Sequence, residues 1–296
     1  MRIACVAPLV LWFCPPLSAQ ATLPERIRAI AAVARGTVSV SCALPGAVLD
    51  CDLNPHAHPP MQSVFKLPLA MAALHAVEAG TLSLDQPVRF LASDRILPQT
   101  FSSLQDQYPA AEVDLPLREY LRLAVSLSDN AAADVVLRTV GGPKVVDDYV
   151  KALGIAGFHL EDGEAALHRD HAAQYRNWFE PAAAVTLLGR LSDASPLTPE
   201  HTRLLLGWME DSPARASRIK GALPAGTRVM HKSGTSSTGG GRTPATNDIG
   251  LIVLPDGRRL AVALFVTDSQ ADDAARDSVI ARIARAIYDA GVATAP

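Results

Sequence analysis

The chain has 296 residues, 49% of them hydrophobic, which is enough for a buried core in one large domain or in two modest lobes. Its formal net charge of -3 and its pI near 6.2 give it no basic field, and no Lys/Arg cluster could follow a phosphate backbone. Nucleic acid is therefore not an expected partner.

Residues 1–20 have the layout of a secretory signal peptide. Arg2 precedes an apolar stretch that ends at two prolines, and small residues follow up to Ala21. The stretch is shorter than the roughly 20 apolar residues that a membrane anchor needs. We therefore expect a protein exported to the periplasm without a membrane anchor.

A first helix is predicted over about 22–35, and a pair of short strands follows it over 36–52. A two-residue turn at Gly46-Ala47 would place Cys42 opposite Cys51. Export permits a disulfide between them, and two unpaired buried thiols are the alternative.

The stretch MQSVFKLPLA begins a helix predicted over about 62–79. Ser63 and Lys66 lie on one face of it, close enough for the lysine amine to reach the hydroxyl. A serine becomes a nucleophile when a base takes its proton, and lysine is such a base only where its pKa is lowered. Because S-x-x-K also occurs by chance in many helices, an ordinary surface pair is the alternative. Pro68 falls inside this predicted helix, against the usual pattern.

Two helices predicted within 115–141 meet at Ser128-Asp129-Asn130, where helix capping is the simplest interpretation. Further helices are predicted over about 143–153, 180–192 and 199–210. Between the first two of these, residues 154–177 carry several charges, three histidines and little periodicity. So long an irregular segment is usually functional or disordered.

The last quarter of the chain has strand patterns, RVMHKSGT, NDIGLIVLP and RRLAVALFVTD, and then an Ala-rich helix over about 273–289. Since strand signals lie at both ends and helices between them, we predict an α/β lobe from about 21–60 and 212–296. An all-α lobe of about 61–211 is inserted into it, with the site in the cleft between the two. Lys232 and Ser233 alternate in direction, so both can reach a ligand only from an edge strand.

Taken in order, SVFK, SDN and KSG resemble the motifs of class A serine β-lactamases and penicillin-binding proteins. The resemblance extends from about Thr22 to the C-terminal helix. It implies a two-lobed α/β fold, an antiparallel sheet flanked by helices plus an inserted all-α lobe. It also implies a monomeric enzyme that uses no cofactor and hydrolyses penicillins and cephalosporins through a serine acyl-enzyme.

The resemblance also implies the roles of the site residues. Ser63 would be acylated, Lys66 would be its proton partner, and Ser128 would pass a proton to the departing lactam nitrogen. Asn130 would hold the amide of the substrate side chain, and Phe101 or Tyr108 would flank the entrance. The substrate carboxylate would bind three residues of the KSG strand: Lys232, Ser233 and Thr235. The backbone N–H groups of Ser63 and Thr235 would form the oxyanion hole.

These motifs do not separate a β-lactamase from a D-alanyl-D-alanine carboxypeptidase, because both acylate a serine. Fast deacylation needs a second base aimed at a water, and we predict Glu164 in this role rather than Glu161. In class A enzymes the loop reads Glu-x-x-x-Asn, whereas here His168 stands where Asn is usual. A subgroup associated with hydrolysis of extended-spectrum cephalosporins is similar in this respect.

A metal site is the competing interpretation of five histidines: His56, His58, His159, His168 and His171. None of them lies in a recognised ligand pattern such as H-E-x-x-H, so we predict no metal. A phosphate loop over 234–241 is also not expected, because Gly240 occupies the lysine position.

Overall fold

The computed structural model describes residues 21–170 and 172–295, so the predicted signal peptide and His171 lie outside the described residues. The α-helices within them are α1 Leu23–Ala31, α2 Lys66–Glu78, α3 Ser103–Gln107, α4 Leu117–Ser126, α5 Asn130–Val140, α6 Pro143–Ala152, α7 Glu164–Arg169, α8 Pro181–Asp193, α9 Pro199–Glu210 and α10 Asp273–Ala293. The strands are β1 Thr37–Ala43, β2 Pro87–Phe90, β3 Val113–Pro116, β4 Phe158–His159, β5 Trp178–Phe179, β6 Val229–Thr235, β7 Thr243–Val253 and β8 Arg259–Ser269. Across the part of the chain so described, no helix is both long and apolar enough to cross a bilayer.

The main sheet has four antiparallel strands in the order β1-β8-β7-β6. The N-terminal strand therefore lies at one edge, and β6, which carries the KSG motif, lies at the other. Helices α1 and α10 cover one face, whereas α8 and α9 pack on the other side. The predicted fold class, an antiparallel sheet flanked by helices, is confirmed.

The hydrophobic core has two parts. One lies between the sheet and the helices α1 and α10. The other surrounds α2 and joins α4, α5, α6 and α8 to the sheet. Every residue of α2 from Lys66 to Leu74 is buried, as expected of a helix that is apolar all round and central to its core. Lys66 is thus a cation held inside a packed helical cluster.

Helix α2 begins later than predicted. Residues Gln62–Phe65 form a 3₁₀ turn, and the α-helix starts only at Lys66. Pro68 therefore lies in the first turn of α2 and not in the helix interior. The N–H groups of a first turn have no partner inside the helix, so proline costs little there.

The predicted turn after β1 is displaced by one residue. Leu44 pairs with Ala47, which puts Pro45 and Gly46 at the centre of the turn in place of Gly46-Ala47. Gly46 has φ +76, the value that the third position of a type II turn requires. A regular second strand does not form after this turn.

The two cysteines nevertheless meet. The backbone of Val40 pairs with that of Leu53, which restores the register expected farther from the turn. Cys42 and Cys51 form a disulfide with their Cα atoms 6.1 Å apart. The predicted disulfide is confirmed, although the turn between the two cysteines lies one residue earlier than predicted.

The segment predicted to be irregular, 154–177, contains short elements. It holds β4 and α7, and β4 pairs with β5, which follows the segment directly. Two short strands, β2 and β3, and the helix α3 were not predicted, because four- or five-residue elements leave almost no periodic signal.

Candidate active site

Ser63, Lys66 and Glu164 meet at one carboxylate oxygen. The Ser63 hydroxyl donates to Glu164 Oε1 at 3.1 Å, and Lys66 Nζ lies 2.9 Å from the same oxygen. Lys66 also donates to the carbonyl of Ser128 at 2.8 Å and to Asn130 Oδ1. A serine hydroxyl, a carboxylate and a buried ammonium thus form one hydrogen-bonded group.

Glu164 is almost wholly buried, and its charge depends on its neighbours. Burial alone would raise the pKa of its carboxyl, but the Lys66 ammonium and a hydrogen bond from His168 lower that pKa to about 2. The carboxylate is therefore ionised at neutral pH and is able to accept a proton from a hydroxyl or from water.

Asp134, which was not predicted, fixes the position of Glu164. From α5 its carboxylate accepts the backbone N–H of Glu164 at 2.7 Å and that of Ala165 at 2.8 Å. A Cβ added to Gly163 would lie 2.6 Å from Asp134 Oδ1, so glycine is needed there. Burial, with a smaller contribution from Glu164, raises the pKa of Asp134 to about 6. Its place four residues after Asn130, on the same helix face, was the available sequence signal.

The Ser128-Asp129-Asn130 turn does cap a helix. Asp129 is the N-cap of α5 and accepts the backbone N–H of Ala132 at 2.9 Å. Ser128 has φ +59, and its hydroxyl accepts a hydrogen bond of 2.8 Å from Lys232 Nζ. Because its carbonyl binds Lys66, Ser128 links the two buried lysines. The turn therefore caps α5 through Asp129 and contacts the two buried lysines through Ser128.

Lys232 lies on the edge strand, as its alternation with Ser233 required. Its ammonium bonds to the Ser128 hydroxyl and to the carbonyl of Ser233, at 2.8 and 3.0 Å. Complete burial, and then the charge of Lys66, lower the pKa of Lys232 well below its usual value. Its ammonium would be stabilised by any anion that enters the cleft beside it.

The backbone of β6 passes directly beside the nucleophile. A Cβ on Gly234 would lie 3.2 Å from the backbone nitrogen of Ser63, so glycine allows this close approach. The N–H of Ser236 donates to the carbonyl of Ala245 on β7 at 3.0 Å. Because neighbouring residues of an antiparallel strand alternate in direction, the N–H of Thr235 faces the free edge, away from β7.

Arg218 is a second residue that the sequence did not reveal. Its buried guanidinium pairs with Asp277 at 2.7 Å, donates to the Thr235 hydroxyl at 2.8 Å and binds the carbonyl of Gly234 at 3.0 Å. It thus adds positive charge and rigidity behind the end of β6. No motif surrounds it in the sequence, and only the folded chain brings it to the site.

A cleft of about 360 Å³ opens above these groups, and Phe101 lies at its rim with 57% of its surface exposed. Of the two aromatic residues considered for the entrance, Phe101 lines this cleft and Tyr108 does not. The predicted residues among those that line it are Ser63, Ser128, Asn130, Ser233 and Thr235.

A second cavity, which we call the side cavity, measures about 190 Å³ and shares Thr235 with the cleft. Its walls are Gln62, Leu167, His168, Gln174, Thr235, Ser236 and Ser237. His168 Nε2 lies 3.4 Å from Glu164 Oε2 and 3.5 Å from Asn130 Nδ2. His168 therefore stands between the carboxylate and the side cavity.

Three other histidines considered as metal ligands line neither the cleft nor the side cavity: His56, His58 and His159. His56 and His58 contact the two oxygens of Glu180, at 2.9 and 3.2 Å, and His159 lies 3.5 Å from Asp147. In 21–170 and 172–295, no group of three His, Cys, Asp or Glu side chains is arranged to hold a metal ion.

Comparisons with known proteins agree on one family. Residues 22–290 match the profile of the beta-lactamase enzyme family. Extended-spectrum beta-lactamase PER-1 from Pseudomonas aeruginosa is 39% identical over 266 residues, which cover 90% of this chain and 86% of that protein.

Solved structures give the same result. A beta-lactamase from Chitinophaga pinensis superposes with a TM-score of 0.87 at 39% identity, covering 90% of this chain and 98% of that one. A representative class A beta-lactamase from Bacteroides cellulosilyticus has a TM-score of 0.83 at 30% identity, with 93% and 100% covered.

Proposed function

Since this chain belongs to the beta-lactamase enzyme family and is a class A serine β-lactamase, a hydrolase that confers resistance to β-lactam antibiotics, we propose which of its residues perform each step. The D-alanyl-D-alanine carboxypeptidase alternative is not favoured. The observation that carries the proposal is the direct hydrogen bond from Ser63 to the ionised Glu164, with Lys66 beside both.

In acylation, Ser63 Oγ attacks the lactam carbonyl and its proton passes to Glu164. We take Glu164 as the base because its carboxylate accepts the hydrogen bond of the Ser63 hydroxyl directly, and Lys66 as the cation that stabilises that carboxylate. The C–N bond then breaks, and the leaving nitrogen takes a proton from Ser128. Ser128 recovers a proton from Lys232, which donates to its hydroxyl.

The substrate is held at both ends. Its carboxylate binds Lys232, Ser233 and Thr235, with Arg218 orienting the Thr235 hydroxyl from behind. The amide of its side chain binds Asn130, whose Oδ1 is oriented by Lys66. The N–H groups of Ser63 and Thr235 stabilise the oxyanion, and one such donor is typically worth about a hundredfold to a thousandfold in rate.

Before deacylation, Glu164 passes the proton taken from Ser63 through Lys66 and Ser128 to Lys232, so that it is again a carboxylate. In deacylation, Glu164 takes a proton from a water that attacks the ester carbonyl and gives that proton to Ser63 Oγ as the ester C–O bond breaks. Glu164 Oε1 binds Ser63 and Lys66, whereas Oε2 lies near His168. We propose that His168 replaces the usual Asn in holding the hydrolytic water. The side cavity next to His168 supports an extended spectrum, as the name of PER-1 states for that protein.

We also propose where the protein is located, its oligomeric state and its domain organisation. The chain is exported to the periplasm by residues 1–20, it acts as a monomer, and residues 21–296 form one catalytic domain. Within that domain, an α/β lobe of about 21–60 and 212–296 carries a mainly helical lobe of about 61–211. This second lobe was expected to be all-α, but it also holds the short strand pairs β2-β3 and β4-β5.

Steady-state hydrolysis of a chromogenic cephalosporin by the purified protein tests the assignment of Ser63. We expect many turnovers from the wild type and none from Ser63→Ala, with Ser192→Ala, at the far end of α8, as a matched control that keeps full activity. If Ser63→Ala kept wild-type turnover, the nucleophile would be a different residue.

A further inference from the structure

Gln174, in the wall of the side cavity, belongs to a short strap, which we define as the 3₁₀ turn Ala173–Tyr175. Two neighbouring residues tie it down. Gln174 Oε1 accepts a buried hydrogen bond of 2.7 Å from Gln62, the residue before the nucleophile. Tyr175 OH donates to Asp268 Oδ1 at 2.6 Å, near the end of β8. The strap therefore connects the 3₁₀ turn Gln62–Phe65, which carries Ser63, to the end of β8.

Asp268 has an unusual backbone. Its φ is +53, whereas the residues on either side of it keep their register with β7: Thr267 pairs with Ala245 and Ser269 with Thr243. A non-glycine residue in this region is strained, and Asp is among the few that tolerate it. Such strain often marks a position that the rest of the structure holds for function. Here it accompanies a carboxylate bonded to a hydroxyl of the strap.

The catalytic base does not depend on the strap. Glu164 is held by Asp134 at its backbone and by Lys66 at its carboxylate, all within α5, α7 and α2. The Tyr175 bond lies eleven residues later in the loop, so its loss should loosen the strap next to Gln174, which lines the side cavity, and leave Glu164 in place.

We propose that the Tyr175–Asp268 hydrogen bond is a latch that limits the width of the side cavity, and so discriminates among β-lactams by the size of the acylamino side chain. This inference rests on the proposed function, in which Asn130 holds the amide of that side chain beside the side cavity. Tyr175 and Asp268 are then specificity-determining residues that do not touch the reacting atoms.

The test compares KM and kcat for benzylpenicillin and for cefotaxime, whose oxyimino side chain is bulky. Tyr175→Phe should lower KM for cefotaxime about three- to tenfold, the effect of losing about one hydrogen bond. KM for benzylpenicillin and both kcat values should stay within about twofold of the wild type. Tyr149→Phe, which removes a buried hydroxyl on α6 outside both cavities, is the matched control.

Asp268→Asn is the second variant, since Asn also tolerates the left-handed backbone while weakening the bond. It should change KM for cefotaxime in the same direction, and the double variant should equal Tyr175→Phe alone. An unchanged or increased KM for cefotaxime in both single variants would overturn the latch. Equal losses of kcat for both substrates would also overturn it, because Tyr175 would then be supporting Glu164. Absence of turnover in the wild type would instead contradict the proposed function.

Discussion

Replacing Glu164 by Gln is the sharpest test of the mechanism, because it preserves the shape of the side chain and removes its charge. The amide can still accept from Ser63 but cannot take a proton from water. Loss of a general base typically costs about a hundredfold to ten-thousandfold in rate, and we expect this loss in deacylation. Acylation should slow less, because Lys66 loses its carboxylate partner and can take over as the base. The acyl-enzyme should therefore accumulate.

The same substitution has a cost in stability. Breaking a buried ion pair costs about 3 to 5 kcal/mol in free energy of unfolding. Lys66 keeps two oxygen acceptors, Ser128 O and Asn130 Oδ1, so we expect about 3 kcal/mol. Urea unfolding of Glu164→Gln against the wild type measures it.

Intact-mass spectrometry and stopped-flow absorbance with a chromogenic cephalosporin measure the two chemical steps. The expected result is one burst of product, followed by slow turnover, with the substrate-derived mass retained on the protein. Glu161→Gln is the matched control, since that loop carboxylate is about half exposed and its ion-pair partners among the described residues are His159 and Arg176. If Glu164→Gln turned over within about tenfold of the wild type, Glu164 would not be the deacylation base.

Three further predictions concern groups around the site. Arg218→Ala should raise KM for β-lactams about tenfold or more in steady-state kinetics, because Arg218 hydrogen-bonds to the Thr235 hydroxyl. Arg285→Ala, on the exposed face of α10, is the control and should leave KM unchanged. Folding raises the pKa of Asp134 from 3.8 to about 6, so the unfolded chain loses this proton at lower pH than the folded protein does. The free energy of unfolding should therefore fall by about 2 to 3 kcal/mol as pH rises from about 4 to 6. The difference in urea midpoint between the wild type and Asp134→Asn should change with pH in the same way, and a pH-independent difference would contradict this prediction. Reducing the Cys42–Cys51 bridge, or replacing both by Ser, should lower the free energy of unfolding by about 2 to 3 kcal/mol with kcat/KM unchanged, because the bridge is away from the cleft.

The elements predicted best were those with strong local signals. The strands β6 and β8 and the helices α8 and α9 lie within a residue or two of prediction, whereas β7 begins at Thr243, four residues before the predicted start. Runs of apolar and β-branched residues mark the strands, and a proline in the first turn marks each of the two helices. The start of α2 was misjudged because an apolar 3₁₀ turn and an apolar α-helix have the same composition. Only the backbone distinguishes them, and Pro68 was the one sequence sign of where the α-helix begins.

The site was predictable to the extent that it consists of motifs. Ser63, Lys66, Ser128 and Lys232 come together as expected, because each motif is short and keeps its own geometry. Asp134 and Arg218 were missed because each acts through the backbone or side chain of another residue. A role of that kind depends on which elements the fold brings together, and no spacing in the sequence records it.

The charges around the cleft show why an anionic substrate completes this site. Of the buried cations, Lys66 is neutralised by Glu164, and Arg218 by Asp277. Among the described residues, Lys232 hydrogen-bonds to the Ser128 hydroxyl and the Ser233 carbonyl, and burial together with the charge of Lys66 lowers its pKa. Binding of a carboxylate beside Lys232 would supply the missing negative charge and stabilise its ammonium form. In the proposed mechanism, Lys232 would then hold next to Ser128 the proton that replaces the one given to the lactam nitrogen, so that substrate binding itself prepares the proton donor.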